Sequence, residues 1–386
     1  MNIVTCTAPV NIAVIKYWGK RNEALILPIN DSISASLDVA QLCAKTTVMS
    51  CPTFDSDRIW LNGREESIDN ERLQSCIRNI KRQGTLSTGM EKWKVHICSI
   101  NNFPTAAGLA SSAAGYACLS TALAKLYKVN NDISAIARTG SGSACRSVFG
   151  GFVRWYMGVD AEGTDSIAKQ IVPASHWPEM RIIILVVDDL RKKISSAIGM
   201  QRSVQTSELL RYRAEHCVPK RIEEMHQAII HKNFEKFAEL TIKDSNQMHA
   251  VCLDTYPPCS YLTDVSHAIS DLIHAYNNAV HSTKVAYTND AGPNTVLYLL
   301  EKNVPEIVGV LQHFFPPGND QNIDYIRGNL PSGIIPSKNL LSKIKCERQT
   351  PGQIKYMIYT RIGDGPQYLE DPKEHLLDNR GFPVHH

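Results

Sequence analysis

Pro104-Thr105-Ala106-Ala107-Gly108-Leu109-Ala110-Ser111-Ser112-Ala113-Ala114 is the stretch on which the reading of this chain turns. Ahead of it, Lys92 to Ile100 alternates, with Trp93, Val95 and Ile97 on one face and Lys94 and His96 on the other, the period of a half-buried strand. Behind it, Tyr116, Leu119, Leu123, Leu126 and Tyr127 recur at helical spacing within residues 112–127. The loop therefore joins a strand to the first turn of a helix. Small side chains there let a phosphate approach the backbone, successive N–H groups point into the turn, and the helix adds its positive N-terminal end. The same composition would also let a helix pack closely on a sheet, and the residues alone leave both readings open. The Gly-Lys-Ser/Thr of a P-loop and the G-x-G-x-x-G of a dinucleotide site are both absent.

Around this loop lie 386 residues, enough for two lobes or one large unit with a cleft. With 43% apolar and 20% charged residues the composition is that of a globular protein, so long disorder is not expected. A net charge of +3 gives no whole-molecule field that would draw the chain to nucleic acid or membrane, and any anion must meet locally placed positive charge. Residues Met1 to Pro9 lack the basic start and apolar core of a signal peptide, and the densest apolar run, Ile182 to Val187, is too short to cross a bilayer. These features predict a soluble, cytoplasmic protein. The eleven cysteines, Cys98, Cys118 and Cys145 among them in apolar surroundings, form no Cys-x-x-Cys pair and read as buried free thiols. The histidines show no metal-binding spacing, so no zinc held by the protein is implied.

Strands are expected near residues 3–8 and 45–50, around Gly151–Met157 and around Arg181–Val187, with a helix from Asp132 to Arg138. The charged segment Asp188 to Lys193 marks a boundary near residue 190. Beyond it helices are predicted over 206–232, 234–252 and 260–278, the second stopped by Pro257-Pro258. Lys284–Thr288 and Thr295–Leu300 read as strands flanking a tight turn, Gln353–Ile362 as a late strand, and 315–340 as a long surface excursion. Both halves mix α and β, the first strand-rich and the second helix-rich.

Three further constellations could carry chemistry. Lys16-Tyr17-Trp18-Gly19-Lys20, at the end of a strand beginning at Asn11, could hold a polyanion or decorate a sheet edge. In Gly140-Ser141-Gly142-Ser143-Ala144-Cys145-Arg146-Ser147 the glycines would let backbone amides converge, while Arg146 offers a planar fork for paired oxygens; a solvated turn fits equally. Asp290, between Asn289 and Ala291-Gly292-Pro293, has the context of an ordinary turn-former bonding its own backbone.

The pattern Pro104-x-x-x-Gly108-Leu109-x-Ser111-Ser112-Ala113 resembles the phosphate loop of the GHMP kinase superfamily, named for its galactose, homoserine, mevalonate and phosphomevalonate kinases. The longer run Asn101 to Gly115 is similar to one branch, the mevalonate diphosphate decarboxylase family. That likeness continues through Ala8–Lys20, Ile59–Gly63, Gly140–Ser147, Asp244–Asn246 and Asn289–Asn294, almost from end to end.

The resemblance implies an α+β fold of GHMP kinase type, with a deep cleft between an N-terminal lobe, 1–190, and a C-terminal lobe, 191–386. It implies ATP on Pro104, Ala107, Gly108, Leu109, Ala110, Ser111 and Ser112, with Mg²⁺ carried by the nucleotide and within reach of Ser111 or Ser112. Substrate would lie on Asn11, Tyr17, Trp18, Gly19, Lys20, Arg72, Ser141, Gly142, Ser143, Ala144, Cys145, Arg146 and Ala197. Asp290, Lys16 and Arg146 would be catalytic, Asp290 standing beside the hydroxyl that receives the phosphoryl group. Ala197 departs from the family pattern, which usually has a hydroxyl residue there. The implied activity is ATP-dependent decarboxylation of mevalonate 5-diphosphate to isopentenyl diphosphate, by a homodimer. A small-molecule kinase of the same superfamily is the alternative, and a non-catalytic metabolite-binding protein is disfavoured by the intact charged residues.

Overall fold

The computed structural model describes residues 2–85, 89–103, 111–188, 193–318 and 324–384. The chain opens with β1 (Asn2–Pro9), β2 (Asn11–Ile15), β3 (Lys20–Asn22), β4 (Leu27–Pro28), β5 (Ser32–Ser36), β6 (Cys43–Cys51), β7 (Arg58–Leu61) and β8 (Arg64–Glu66). It continues through α1 (Glu71–Gln83), β9 (Lys94–Asn101), α2 (Ser111–Leu126), α3 (Ser134–Gly140), α4 (Ala144–Ser147), β10 (Phe152–Trp155), β11 (Ala168–Val172) and β12 (Met180–Val186). Then come α5 (Ser196–Thr206), α6 (Glu208–Tyr212), a π-helical turn at Arg213–Cys217, α7 (Val218–Ile230), α8 (Phe234–Asp254) and α9 (Asp264–Ala279). The last elements are β13 (Val285–Asn289), β14 (Thr295–Leu300), α10 (Val304–Phe314), β15 (Ile326–Arg327), α11 (Lys338–Lys343), β16 (Tyr356–Arg361) and β17 (Gln367–Tyr368).

These form an α+β architecture around three larger sheets. The first has the order β17-β1-β6-β9-β7-β8, the second β11-β10-β5-β2 and the third β13-β14-β12-β16-β15. In the first, Val4 faces Val48 and Val48 faces Ile97, so one face of β1, β6 and β9 carries apolar side chains to α2. Ala113, Ala114, Ala117, Cys118 and Ala122 are buried on α2, and their small size brings the helix close to that sheet. In the helical half Asn233 caps α8, and Thr263 with Ser266 forms a capping box on α9. Strand β12 pairs with β14 and β16 from later in the chain.

Some elements differ from the sequence expectation. The helix expected over 206–232 is found as one continuous run from Glu208 to Ile230, started by the Ser207 side chain accepting the Leu210 N–H, but it passes from α6 into α7 through the π-helical turn, just before Pro219, which has no N–H to donate. Within the expected excursion at 315–340, Ile326–Arg327 adds a parallel edge to β16, and the Ile334 N–H bonds the Pro305 carbonyl. Strand β9 is buried on both faces, Val95, His96, Ile97 and Cys98 alike. Its second face is covered by the C-terminal stretch: Leu376 and Leu377 pack with Met49, Trp60 and Cys98, and His96 Nδ1 lies 2.8 Å from the Gly381 carbonyl. The cysteines are free thiols, eight of them buried, as their surroundings predict.

Candidate active site

A cavity of about 220 Å³ opens where the end of β2, the first turn of α2, the α3–α4 loop, the first turn of α5, α8 and the β13–β14 turn converge. Lys16 and Asp290 meet in its wall, Nζ to Oδ1 at 2.7 Å, although 274 positions separate them. Lys16 is buried, with its side chain 3% exposed, whereas the Asp290 side chain is 33% exposed and faces the cavity. The tight turn does not use this carboxylate. It is closed by the Gly292 N–H on the Asp290 carbonyl and by the Asn289 side chain, which donates to the Asn294 carbonyl and to Thr295 Oγ1. Among the described residues the Asp290 carboxylate hydrogen-bonds only Lys16.

Arg146 also lines this cavity and is 2% exposed. Its Nε donates to Ser34 Oγ at 2.9 Å and Asn11 Oδ1 at 3.3 Å, Nη1 to Ser32 Oγ at 2.6 Å and Nη2 to Ser143 Oγ at 3.2 Å. All four partners are neutral, and among the described residues no ion pair includes it. Burial pulls its guanidinium below the usual arginine value, opposed by the electrostatic influence of Cys145 and Asp290. A buried charge without a counter-charge is costly unless an anion supplies one. The cavity therefore suits an anionic ligand.

The other expected residues fall into three groups. Asn11, Tyr17, Trp18, Lys20, Arg72, Ser112, Ser141, Gly142, Ser143 and Ala197 all line the cavity. Asn11 is tied by Nδ2 to Ser147 Oγ at 2.7 Å and to the Ser143 carbonyl. The Tyr17 hydroxyl is buried with no hydrogen-bond partner among the described residues, and burial raises its pKa. Lys20 is not a free cation, because Glu23 pairs with it at 2.6 Å. The Trp18 indole N–H is already committed to Ser203 Oγ at 2.9 Å, so Trp18 offers the cavity only its ring. Ser141 Oγ lies 3.2 Å from Ser112 Oγ and links the α3–α4 loop to the N-terminus of α2.

Gly19, Ala144, Cys145 and Ser111 do not line this cavity. Gly19 lies at φ +97°, where a Cβ would stand 2.7 Å from Ile29 Cδ1, so its role is to turn the chain between Trp18 and Lys20. Ala144 and Cys145 are buried behind the wall, and burial pushes the Cys145 thiol up to about 12. Pro104, Ala107, Gly108, Leu109 and Ala110 lie outside the described residues. Ser111 borders a second cavity of about 360 Å³, lined by Ile59, Leu61, Leu73, Ile97, Tyr116 and Leu119 with Asn62, Asn70 and Asn101. Ser112 touches both cavities.

Sequence reasoning missed Ile26, Ser196, Met200 and Met248, which complete the wall, and Asp244, which binds the Lys16 backbone from behind. Met200 and Met248 lie on helices and Ile26 in a turn before β4, where apolar side chains look like ordinary core residues. Ser196 does place a hydroxyl one position before Ala197.

Two family models match the chain: a diphosphomevalonate decarboxylase-like N-terminal domain over residues 8–168, and a mevalonate 5-diphosphate decarboxylase C-terminal domain over 182–369. The diphosphomevalonate decarboxylase of Rattus norvegicus is 53% identical over 99% of this chain and 97% of its own length. The solved structure of mevalonate diphosphate decarboxylase from Trypanosoma brucei superposes with a TM-score of 0.86 at 37% identity, over 97% of this chain and all of that one. A further solved structure, described as MDDEF in complex with MVAPP, AMPPCP and magnesium, superposes with a TM-score of 0.73 at 30% identity, over 96% of this chain and 99% of that one. With both halves matched and a relative 53% identical over nearly the whole of both chains, the chain belongs to the mevalonate diphosphate decarboxylase family.

Proposed function

We propose that this chain converts (R)-5-diphosphomevalonate and ATP to isopentenyl diphosphate, carbon dioxide, ADP and phosphate, in the mevalonate route to isoprenoids. The observation that carries this reading is the Asp290 carboxylate, unused by its own turn, paired with Lys16 at 2.7 Å and facing the same cavity as the buried, uncompensated Arg146. Substrate and ATP together bring roughly seven negative charges at neutral pH. Lys16, Lys20, Arg72 and Arg146 line the cavity; with Lys16 paired to Asp290 and Lys20 to Glu23, Arg72 and Arg146 are the side chains whose charge meets these anions locally, on a chain whose net charge is only +3.

In the proposed reaction the γ-phosphoryl group passes to the oxygen of the tertiary 3-hydroxyl, whose proton goes to the Asp290 carboxylate. The transition state of such a transfer is loose, so Asp290 chiefly orients the hydroxyl and takes its proton as the new bond forms. The carbon–oxygen bond then breaks with departure of phosphate. The electron pair of the carbon–carboxylate bond becomes the new double bond, and carbon dioxide leaves. Arg146 holds substrate oxygens while the serines of its loop bind the mevalonyl part.

The second cavity is proposed for the nucleoside, since it sets apolar side chains beside the amides of Asn62, Asn70 and Asn101, borders α2 and shares Ser112 with the first. The relative solved with MVAPP, AMPPCP and magnesium supports ATP and Mg²⁺ as its companions. Serine hydroxyls at a helix N-terminus, with no cluster of three metal-ligating side chains among the described residues, fit a metal that arrives on phosphate. Bound there, Mg²⁺ would neutralise charge on the transferring phosphoryl group, and Ser111 or Ser112 would be the hydroxyls to reach it. Residues 1–190 are proposed as the ATP-loop half and 191–386 as the half that brings Ala197 and Asp290. No helix among the described residues is long and apolar enough to cross a membrane. A cytoplasmic homodimer completes the proposal and is checked by cell fractionation and sedimentation.

The test of the activity is to supply mevalonate 5-diphosphate with Mg-ATP and to follow ADP, phosphate and carbon dioxide together. Equal amounts of all three are expected. A stable phosphorylated product without carbon dioxide would make the protein a kinase instead.

A further inference from the structure

The Lys16–Asp290 pair is held from behind by one short stretch of α8. Asp244 Oδ2 accepts the Lys16 backbone N–H at 2.7 Å. Arg213, from the π turn, donates Nη1 to Asp244 Oδ1 at 2.7 Å and Nη2 to Oδ2 at 2.9 Å, and the same Nη2 reaches the Lys16 carbonyl at 3.2 Å. Asn30 Nδ2 gives that carbonyl a second bond at 3.2 Å. Both polar atoms of the Lys16 main chain are thus tied to buried groups. On the other side, Ser245 Oγ accepts the Asn289 N–H at 2.9 Å, and His249 Nε2 lies 3.3 Å from the Asn289 carbonyl. The residue before Asp290 is therefore pinned by the same part of α8 that pins Lys16.

Asp244 and Arg213 are both 0% exposed. A fully buried ion pair gains little stability over apolar side chains of the same volume, so stability alone does not account for it. A bidentate fork that also grips one peptide group does supply geometry, since its oxygens and nitrogens have fixed directions.

We infer that Asp244, Arg213 and Ser245 are positioning residues: they set the separation and angle between the Lys16 ammonium and the Asp290 carboxylate without touching substrate. This rests on the proposed roles of Lys16 and Asp290. Displacing reacting groups by about 1 Å can cost on the order of 100-fold in rate. Because the clamp acts through the pair, its effect must vanish when the pair is already broken.

The experiment compares Ser245→Ala, Asp244→Asn and Arg213→Lys in the full chain, each alone and together with Asp290→Asn. In the parent background kcat should fall on the order of 10- to 100-fold, with KM for both substrates changed by less than about threefold. In the Asp290→Asn background the same substitutions should lower the residual rate by less than about threefold. Folded variants with parental kcat would overturn the inference, and so would equal fold losses in both backgrounds, which would mean that these residues merely hold α8 in place. If Asp244→Asn does not fold, Ser245→Ala, which removes one hydrogen bond, decides the matter. Parental turnover in Asp290→Asn itself would instead remove the catalytic pair, a separate failure.

Discussion

An aspartate in a tight turn ordinarily spends its carboxylate on its own backbone. Asp290 does not, and Asp290→Asn therefore separates the two roles. Asparagine keeps the size and the turn, so both substrates should still bind and the thermal melt should be unchanged, while turnover falls by about 10²–10⁴ as a general base is lost. Carbon dioxide release and titration calorimetry measure the two quantities, and turnover within about threefold of the parent would exclude the role. Arg146→Lys keeps a charge but cannot span Ser32, Ser34 and Ser143 together with Asn11. Its kcat/KM should drop roughly 10- to 100-fold, the worth of a charge-assisted hydrogen bond or two; parental activity would make the fork dispensable. The residues alone left Asp290 an ordinary turn-former and Arg146 in what could be a solvated turn, and both were singled out through the resemblance of their motifs to the family. What the motif does not reveal is facing: Ala144 and Cys145 share the motif of Ser143 and Arg146, but successive residues of a helix point about 100° apart. Asp244 was marked only by the likeness of Asp244–Asn246 to the family, Arg213, 31 positions away, by nothing local, and only the fold makes them one device.

At the level of elements, the α3–α4 loop owes its place to a close approach. A Cβ on Gly140 would stand 2.1 Å from Tyr116 Cδ1, so α3 can lie against α2 only with glycine there. Gly140→Ala should cost about 1–3 kcal/mol, the usual penalty of overpacking, as read by urea denaturation. Activity should fall with it as Ser141 is displaced from Ser112. Unchanged stability would mean that the helices slide apart freely. Long, strongly periodic elements such as α2 and α8 were readable, because an apolar face at helical spacing is a local property. The π-helical turn at Arg213–Cys217 was not, since apolar spacing runs on across it. Pro219 was the one local signal, and a proline in a first helical turn also suits an unbroken start.

For the whole molecule, α8 couples the site to stability. Burial, with a smaller electrostatic push from Lys16, lowers the His249 imidazole from 6.5 to about 4. Between those values the unfolded chain takes up a proton that the folded chain refuses, so stability declines as pH falls through that window and is indifferent to this group above it. By about pH 5 the loss is roughly 2 kcal/mol. Denaturant titrations near neutrality and at about pH 5 should show His249→Gln losing roughly 2 kcal/mol less than the parent, since its amide does not titrate; equal losses would trace the acid sensitivity elsewhere. Fold class was legible from alternating and helical periods, but the covering of β9 was not, because its second face is met by residues hundreds of positions later. That return has a consequence for biosynthesis. Thr5 bonds His375 and β1 pairs with β17 on the edge away from β6, so that edge stays open until residues up to 370 positions later have been made. At about 5–20 residues per second the nascent chain carries an unfinished sheet, with Trp60 and Cys98 uncovered, for on the order of tens of seconds. Ribosome-bound chains halted short of residue 367 should therefore be the species on which chaperones act.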